Sequence, residues 1–139
     1  GVWQHGYGMM VISLKQKYAG HAKQAALIAS GTRSANIVRF IVVVDEDVDP
    51  YNIMDVNWAI GTRCDPECDI DIIKEGWSEG IDPMITPEKR ERKDFTTGKV
   101  LINACRPLWK RPEYPPVVAV SPELRSKITK KWETFLKQL

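Results

Sequence analysis

The chain has 139 residues, 43% of them hydrophobic and 27% charged, with a net charge of +2. That length suits one domain with a real core, and near-neutral charge argues against a polyanion partner such as nucleic acid. No apolar window reaches the length of a membrane span, no secretory signal opens the chain, and three cysteines make a disulfide framework a poor expectation. A reducing cytoplasm is the expected setting, with no membrane partner.

Gly1 stands where methionine would start a natural chain, and GVWQHGYG lies directly against an apolar run, as in an excised or processed piece. Met9 to Leu14 is expected to be the first strand, entered through Gly6 and Gly8. Gly20-His21 opens a helix of strong formers, in which Ala22, Ala25, Ala26 and Ala29 make a narrow face for close packing on a sheet. Gly31 ends it.

The central stretch starts at Val38 as an apolar run broken once by Arg39, the composition of a strand buried on both faces. It changes abruptly to Asp45, Glu46, Asp47 and Asp49. Asp49-Pro50 reads as a cap and first-turn proline for a helix carrying Ile53, Val56 and Ile60 on one face, stopped by Gly61 and the Arg63-to-Pro66 turn. Strand, acidic loop, helix and basic turn make a crossover unit with a polar edge where α/β sheets place their sites.

Asp69 to Lys74 alternates like a strand exposed on one side. From Glu75 to Gly98 no period is visible, and a loop that long is expected to be functional or docked. Lys99 to Ala104 is expected as the fourth strand, and Arg106 to Pro116 as an extended, proline-rich arm. Ser121-Pro122-Glu123 starts a terminal helix over 121–138, with Leu124, Ile128, Trp132, Phe135, Leu136 and Leu139 at helical spacing.

Three readings compete for the acidic cluster. Hard cations favour several carboxylates, but Pro50 and Val56 stand where a calcium loop needs glycine and glutamate. A receiver-like phosphoacceptor is a second reading. The simplest is a structural acidic loop that caps the helix and pairs with Arg63 or Arg39. Cys64 and Cys68, with Cys105 distant and only His5 and His21 to complete a set, make a poor zinc signature. His21 at a helix start more often packs than catalyses. No metal site is expected within the chain.

YAGHAKQ at 18–24, IVVVDEDVDP at 41–50 with WAIGTRCDP at 58–66, and KVLINACRP at 99–107 together resemble the C-terminal domain of UbiD-type decarboxylases, across roughly residues 8 to 110. The resemblance implies a three-layer α/β domain with a mostly parallel or mixed sheet. It implies an enzyme that uses prenylated FMN, with a divalent metal and potassium, on aromatic or unsaturated carboxylic acids. The flavin site and the catalytic residues would lie in an N-terminal flavin-binding domain or large subunit, so no catalytic residue is carried over to this chain. What it would offer is one wall of the substrate cleft, for which Thr62, Arg63, Asp65, Asn103, Cys105 and Arg106 are the candidates. Family members form dimers or hexamers, so a homo-oligomer is expected, with the terminal helix as docking element. The alternative is a free-standing small subunit or assembly module of such an enzyme.

Overall fold

A computed structural model of the chain describes residues 1–5 and 8–136, with the side chains at 5, 111 and 134–136 excepted. Gly6, named above as a strand entry, and Leu139, named on the terminal helix, lie outside the described residues. The elements in order are β1 (Val2–His5), β2 (Met9–Leu14), α1 (His21–Ser30), β3 (Phe40–Asp45), α2 (Ile53–Arg63), β4 (Ile70–Trp77), α3 (Pro87–Glu91), β5 (Thr96–Ala104) and α4 (Pro122–Leu136). Short 3-10 turns at Arg33–Ala35 and Leu108–Glu113 complete the chain.

The five strands form one sheet in the order β1-β2-β3-β5-β4. β2, β3 and β5 are parallel, with Met10 opposite Ile41 and Ile41 opposite Leu101. β1 and β4 flank them antiparallel. The sheet is therefore mixed, parallel at its centre and antiparallel at both edges.

Alternation along the central strands sends side chains to two separate cores. Met10, Ile12, Ile41, Val43 and Leu101 meet Ala22 and Ala26 of α1, the small-residue face anticipated from the alanine spacing. Val11, Val42, Val44 and Ala104 meet Val56 and Ala59 of α2 on the opposite side. Ile41 to Val44 are fully buried, as a strand covered on both faces must be.

Several local expectations are corrected. The leading residues Val2–His5 form a strand against β2. Asn52, not Asp49, caps α2, its side chain accepting from the Met54 N–H at 3.1 Å, while Asp49 accepts from the Tyr51 N–H at 2.9 Å. Gly61 lies within α2, which continues to Arg63. The stretch after Lys74 holds the end of β4, the one-turn helix α3 and the start of β5, which begins at Thr96. Part of the arm, at Leu108–Glu113, is wound as a 3-10 turn.

β4 is antiparallel because α2 returns the chain to the edge it left. Ile70 enters opposite Ile102, near the carboxyl end of β5. On α4, Leu124, Ile128 and Trp132 are 49%, 47% and 51% exposed, so the described part of its apolar stripe is largely uncovered within this chain.

Candidate functional site

The carboxyl edge of the parallel strands is organised by Asp45, the last residue of β3, which is fully buried. Its Oδ1 accepts from Gln16 Nε2 at 3.1 Å. Its Oδ2 accepts from Arg63 Nη1 at 3.2 Å, from the Arg106 backbone N–H at 2.7 Å and from Arg106 Nε at 3.2 Å. Gln16 also donates to the Arg106 carbonyl at 2.8 Å, closing a ring between the ends of β2, β3 and β5.

Asp47 forms the outer half of the cluster. Arg63 grips it with two parallel bonds, Nη1 at 2.9 Å and Nη2 at 2.8 Å, and Arg106 Nη2 approaches at 3.3 Å. Such fork-to-fork pairing fixes geometry as well as charge. The Arg63 hydrogen bonds are the main reason that the Asp47 carboxyl is held below its ordinary value. Partial burial opposes them, and the charges of Arg63 and Arg106 add to them. Burial works against the Arg63 cation, yet Asp47 and Asp45 together hold its pKa above the usual arginine value. The Arg63 guanidinium also lies over the Trp58 ring, 4.9 Å from its centroid.

The expected pairing of the acidic loop is thus made by Arg63, not by Arg39, which pairs instead with Asp82. Glu46 and Asp49 of the same loop are exposed. Of the candidate wall residues, Arg63 and Arg106 are brought together on Asp45 and Asp47. Asn103 and Cys105 form a second small group: Asn103 Nδ2 donates to Asp69 Oδ1 at 2.8 Å, and its Oδ1 accepts from the Cys105 N–H at 3.2 Å. The Cys105 thiol is buried and donates to the Val43 carbonyl at 3.6 Å.

Thr62 and Asp65 lie exposed on the flank. The Thr62 hydroxyl donates to the Trp58 carbonyl at 2.8 Å, and its own carbonyl accepts from the Tyr114 hydroxyl at 2.7 Å. Asp65 accepts from the Glu67 N–H at 3.1 Å. Gln16, Trp58 and Tyr114 were not singled out from sequence. Gln16 sat in a polar connection with no motif around it, and Tyr114 in a proline-rich arm.

The edge does not fit the flavin or the metal implied by the resemblance as a self-contained site. Arg63 and Arg106, the cations of this edge that could meet an anionic group, are both committed to Asp45 and Asp47. Among the described residues, no group of three His, Cys, Asp or Glu side chains is arranged to hold a metal ion. What the arrangement does is lock three strand ends and the end of α2 into one stiff, partly charged rim.

Comparison with known proteins places this chain in a family. Residues 2–104 match the model of the UbiD C-terminal domain, described as the 3-octaprenyl-4-hydroxybenzoate carboxy-lyase C-terminal domain. The chain is 32% identical to a phenolic acid decarboxylase of Sedimentibacter hydroxybenzoicus over 139 residues, covering 99% of this chain and 27% of that protein. Among solved structures, the UbiD-class enzyme HmfF of Pelotomaculum thermopropionicum in complex with FMN superposes with a TM-score of 0.71 at 29% identity, over 86% of this chain and 25% of that one. The vanillic acid decarboxylase of S. hydroxybenzoicus in closed form gives 0.66 at 31% identity, over 98% and 27%. The chain therefore spans about a quarter of the length of these relatives. It belongs to the family of UbiD carboxy-lyase C-terminal domains.

Proposed function

We propose that residues 1–139 form a single α/β domain that closes the substrate cleft of a prenylated-FMN-dependent carboxy-lyase, acting on aromatic or unsaturated carboxylic acids. The observation that carries this reading is the family match across residues 2–104, against relatives of which the chain covers about a quarter. HmfF is solved with FMN, and an evolved dimeric form of it with prenylated FMN. The vanillic acid decarboxylase is solved in open and closed forms, which supports a moving lid in this class.

In this reading the domain is inactive alone. Its partner is an N-terminal flavin-binding domain or large subunit, which holds the cofactor, a divalent metal and potassium, and the full enzyme is a cytoplasmic homo-oligomer. The helix over 121–138 is its docking element. No described helix is long and apolar enough to cross a membrane.

The bound flavin would supply the electron sink for loss or capture of carbon dioxide. This chain's residues exclude water and shape the cleft. Thr62, Asp65 and the exposed part of Arg106 form the outward surface of the wall. Arg63, Asn103 and Cys105 stand behind it and hold it in shape. Asp45, Glu46, Asp47 and Asp49 form the structural loop that Arg63 ties down.

The test is to mix the purified chain with prenylated FMN, divalent metal, potassium and a panel of aromatic and unsaturated acids, and to measure carbon dioxide. No release is expected. Turnover by this chain alone would overturn the proposal.

A further inference from the structure

At the opposite, amino end of the sheet a lysine is buried where no cation is needed for the rim just described. Lys99 of β5 is 3% exposed. Its ammonium donates to the carbonyls of Ala35, Asn36 and Val38 at 2.6, 2.9 and 2.8 Å. An ammonium has three protons and no acceptor, so every donor is matched by one backbone oxygen. Burial pushes the Lys99 pKa down, with the charge of Asp82 opposing and that of Arg39 adding to the effect. None of the three oxygens in contact belongs to a carboxylate. The cation is held by peptide dipoles, as carbonyl rings hold bare monovalent cations after replacing their water.

The side chain reaches this cradle with its stem packed close against Gly76. A Cβ on Gly76 would stand 3.2 Å from both Lys99 Cδ and Cε, and 3.3 Å from Cγ. Gly76 follows the irregularity in β4 between Ile73 and Gly76, where Glu75 takes a φ of 56°. A bulge there, with a residue lacking Cβ after it, lets the edge strand close over the lysine stem.

The turn that the ammonium gathers leads straight into contacts with the long excursion between β4 and β5. Asn36 Nδ2 donates to Glu79 Oε1 at 2.9 Å, and Arg39 pairs with the buried Asp82. Ser78 Oγ and the Met84 N–H complete that carboxylate at 2.7 and 2.9 Å.

We infer that the turn from Ala35 to Val38 is a binding cradle for an organic monovalent cation, filled in cis by the Lys99 ammonium, and that this occupancy fastens the 78–95 excursion to the sheet. The cradle recognises a primary ammonium on a short alkyl stem. Removing everything beyond Cβ should therefore leave a site for n-propylammonium.

The experiment measures Tm for the intact chain and for Lys99→Ala, Lys99→Met and Gly76→Ala, with and without n-propylammonium chloride at constant ionic strength. Three carbonyls would lose the ammonium, of which that of Ala35 keeps the Val38 N–H at 3.2 Å. This should lower the Tm of Lys99→Met by roughly 10 °C, although its stem is the right volume. Lys99→Ala should regain Tm with rising n-propylammonium, following the logarithmic dependence of a ligand that binds only the folded state, while the parent chain and equal tert-butylammonium show no such gain. Gly76→Ala should lower Tm in the parent background and much less in the Lys99→Ala background, because the clash partner is then gone. If Lys99→Ala does not fold unaided, refolding yield as a function of n-propylammonium reads the same binding. A Lys99→Met chain within about 2 °C of the parent would overturn the inference. So would rescue of Lys99→Ala equally by tert-butylammonium, or no rescue at all.

Discussion

Arg106 reaches the same oxygen of Asp45 twice, through its backbone N–H at 2.7 Å and its Nε at 3.2 Å. The first bond fixes where β5 ends, and the second fixes where the arm begins. Asp45 is fully buried and shares its other contacts with Gln16 and Arg63. Substituting Asp45→Asn keeps the shape but removes the charge, leaving the buried Arg63 with only the half-exposed Asp47. Loss of one partner from a buried pair costs about 3–5 kcal/mol. Urea unfolding should show a drop of that size, whereas Asp49→Asn, on the exposed part of the loop, should change stability by about 0.5 kcal/mol or less.

The pH dependence of stability follows from two depressed carboxyls. Asp47 is held below the ordinary 3.8 chiefly by the Arg63 hydrogen bonds. At Asp82 burial pushes the value up from 3.8, but the Ser78 hydroxyl, the Met84 N–H and Arg39 outweigh it and leave it lowered. In both cases the unfolded chain binds more protons in the window just below the ordinary carboxylate value. The stability they contribute is therefore fully present above that window and is lost as the pH falls through the folded-state values. Unfolding free energy measured from pH 7 down to pH 2 should fall steeply below about pH 4. Asp47→Asn and Asp82→Asn should each flatten that slope. An unchanged slope in either variant would show that its carboxyl is not depressed.

How much of this was legible beforehand depends on where the partners lie. The β2, β3 and β5 strands and α1 announce themselves by local pattern, because both their periods and their partners are apolar. Arg63 was readable as the tie for the acidic loop, since an acidic run followed by a basic turn one helix later leaves few other partners. The orientation of β4 was not, because it depends on where α2 delivers the chain, which no local pattern encodes. α3 carried a readable signal in Thr86-Pro87-Glu88, the same cap, proline and acid that announce α4, and the Thr86 hydroxyl does accept from the Lys89 N–H at 3.3 Å. The surrounding glycines and prolines masked it. Lys99 looked like the polar start of a strand; its three acceptors lie 61–64 residues away, on backbone that any sequence supplies.

The arm that follows β5 is clamped at both ends, by Arg106 on Asp45 and by the Tyr114 hydroxyl on the Thr62 carbonyl at 2.7 Å. Tyr114→Phe removes only the second clamp. An exposed hydrogen bond of this kind is worth about 0.5–1.5 kcal/mol, so global stability should change little. The arm should instead open locally more often. Limited proteolysis is expected to cut within 107–121 several times faster in the variant, with the sheet core still protected. Equal cutting rates would mean that Arg106 alone anchors the arm.

The three cysteines occupy three environments and should separate by reactivity. Cys68 is exposed, Cys64 is intermediate and Cys105 is buried. Burial, followed by the charges of Asp69 and Asp65, pushes the Cys64 thiol above its ordinary 9.0, so at neutral pH it holds less of the reactive thiolate than an unperturbed thiol. A time course with iodoacetamide read by peptide mass spectrometry should label Cys68 first and Cys64 distinctly later. Cys105 should be labelled only as the chain opens, since its thiol sits beneath Val43 with a hydrogen bond to that carbonyl. Raising the pH should speed the labelling of Cys64 as its thiolate population grows. Because Cys105 adjoins both Asn103 and Arg106, its labelling rate is also a direct readout of the rim: Asp45→Asn should accelerate it, while Cys68 should react at the parent rate. Early labelling of Cys105 in the parent chain would show that the rim opens without global unfolding.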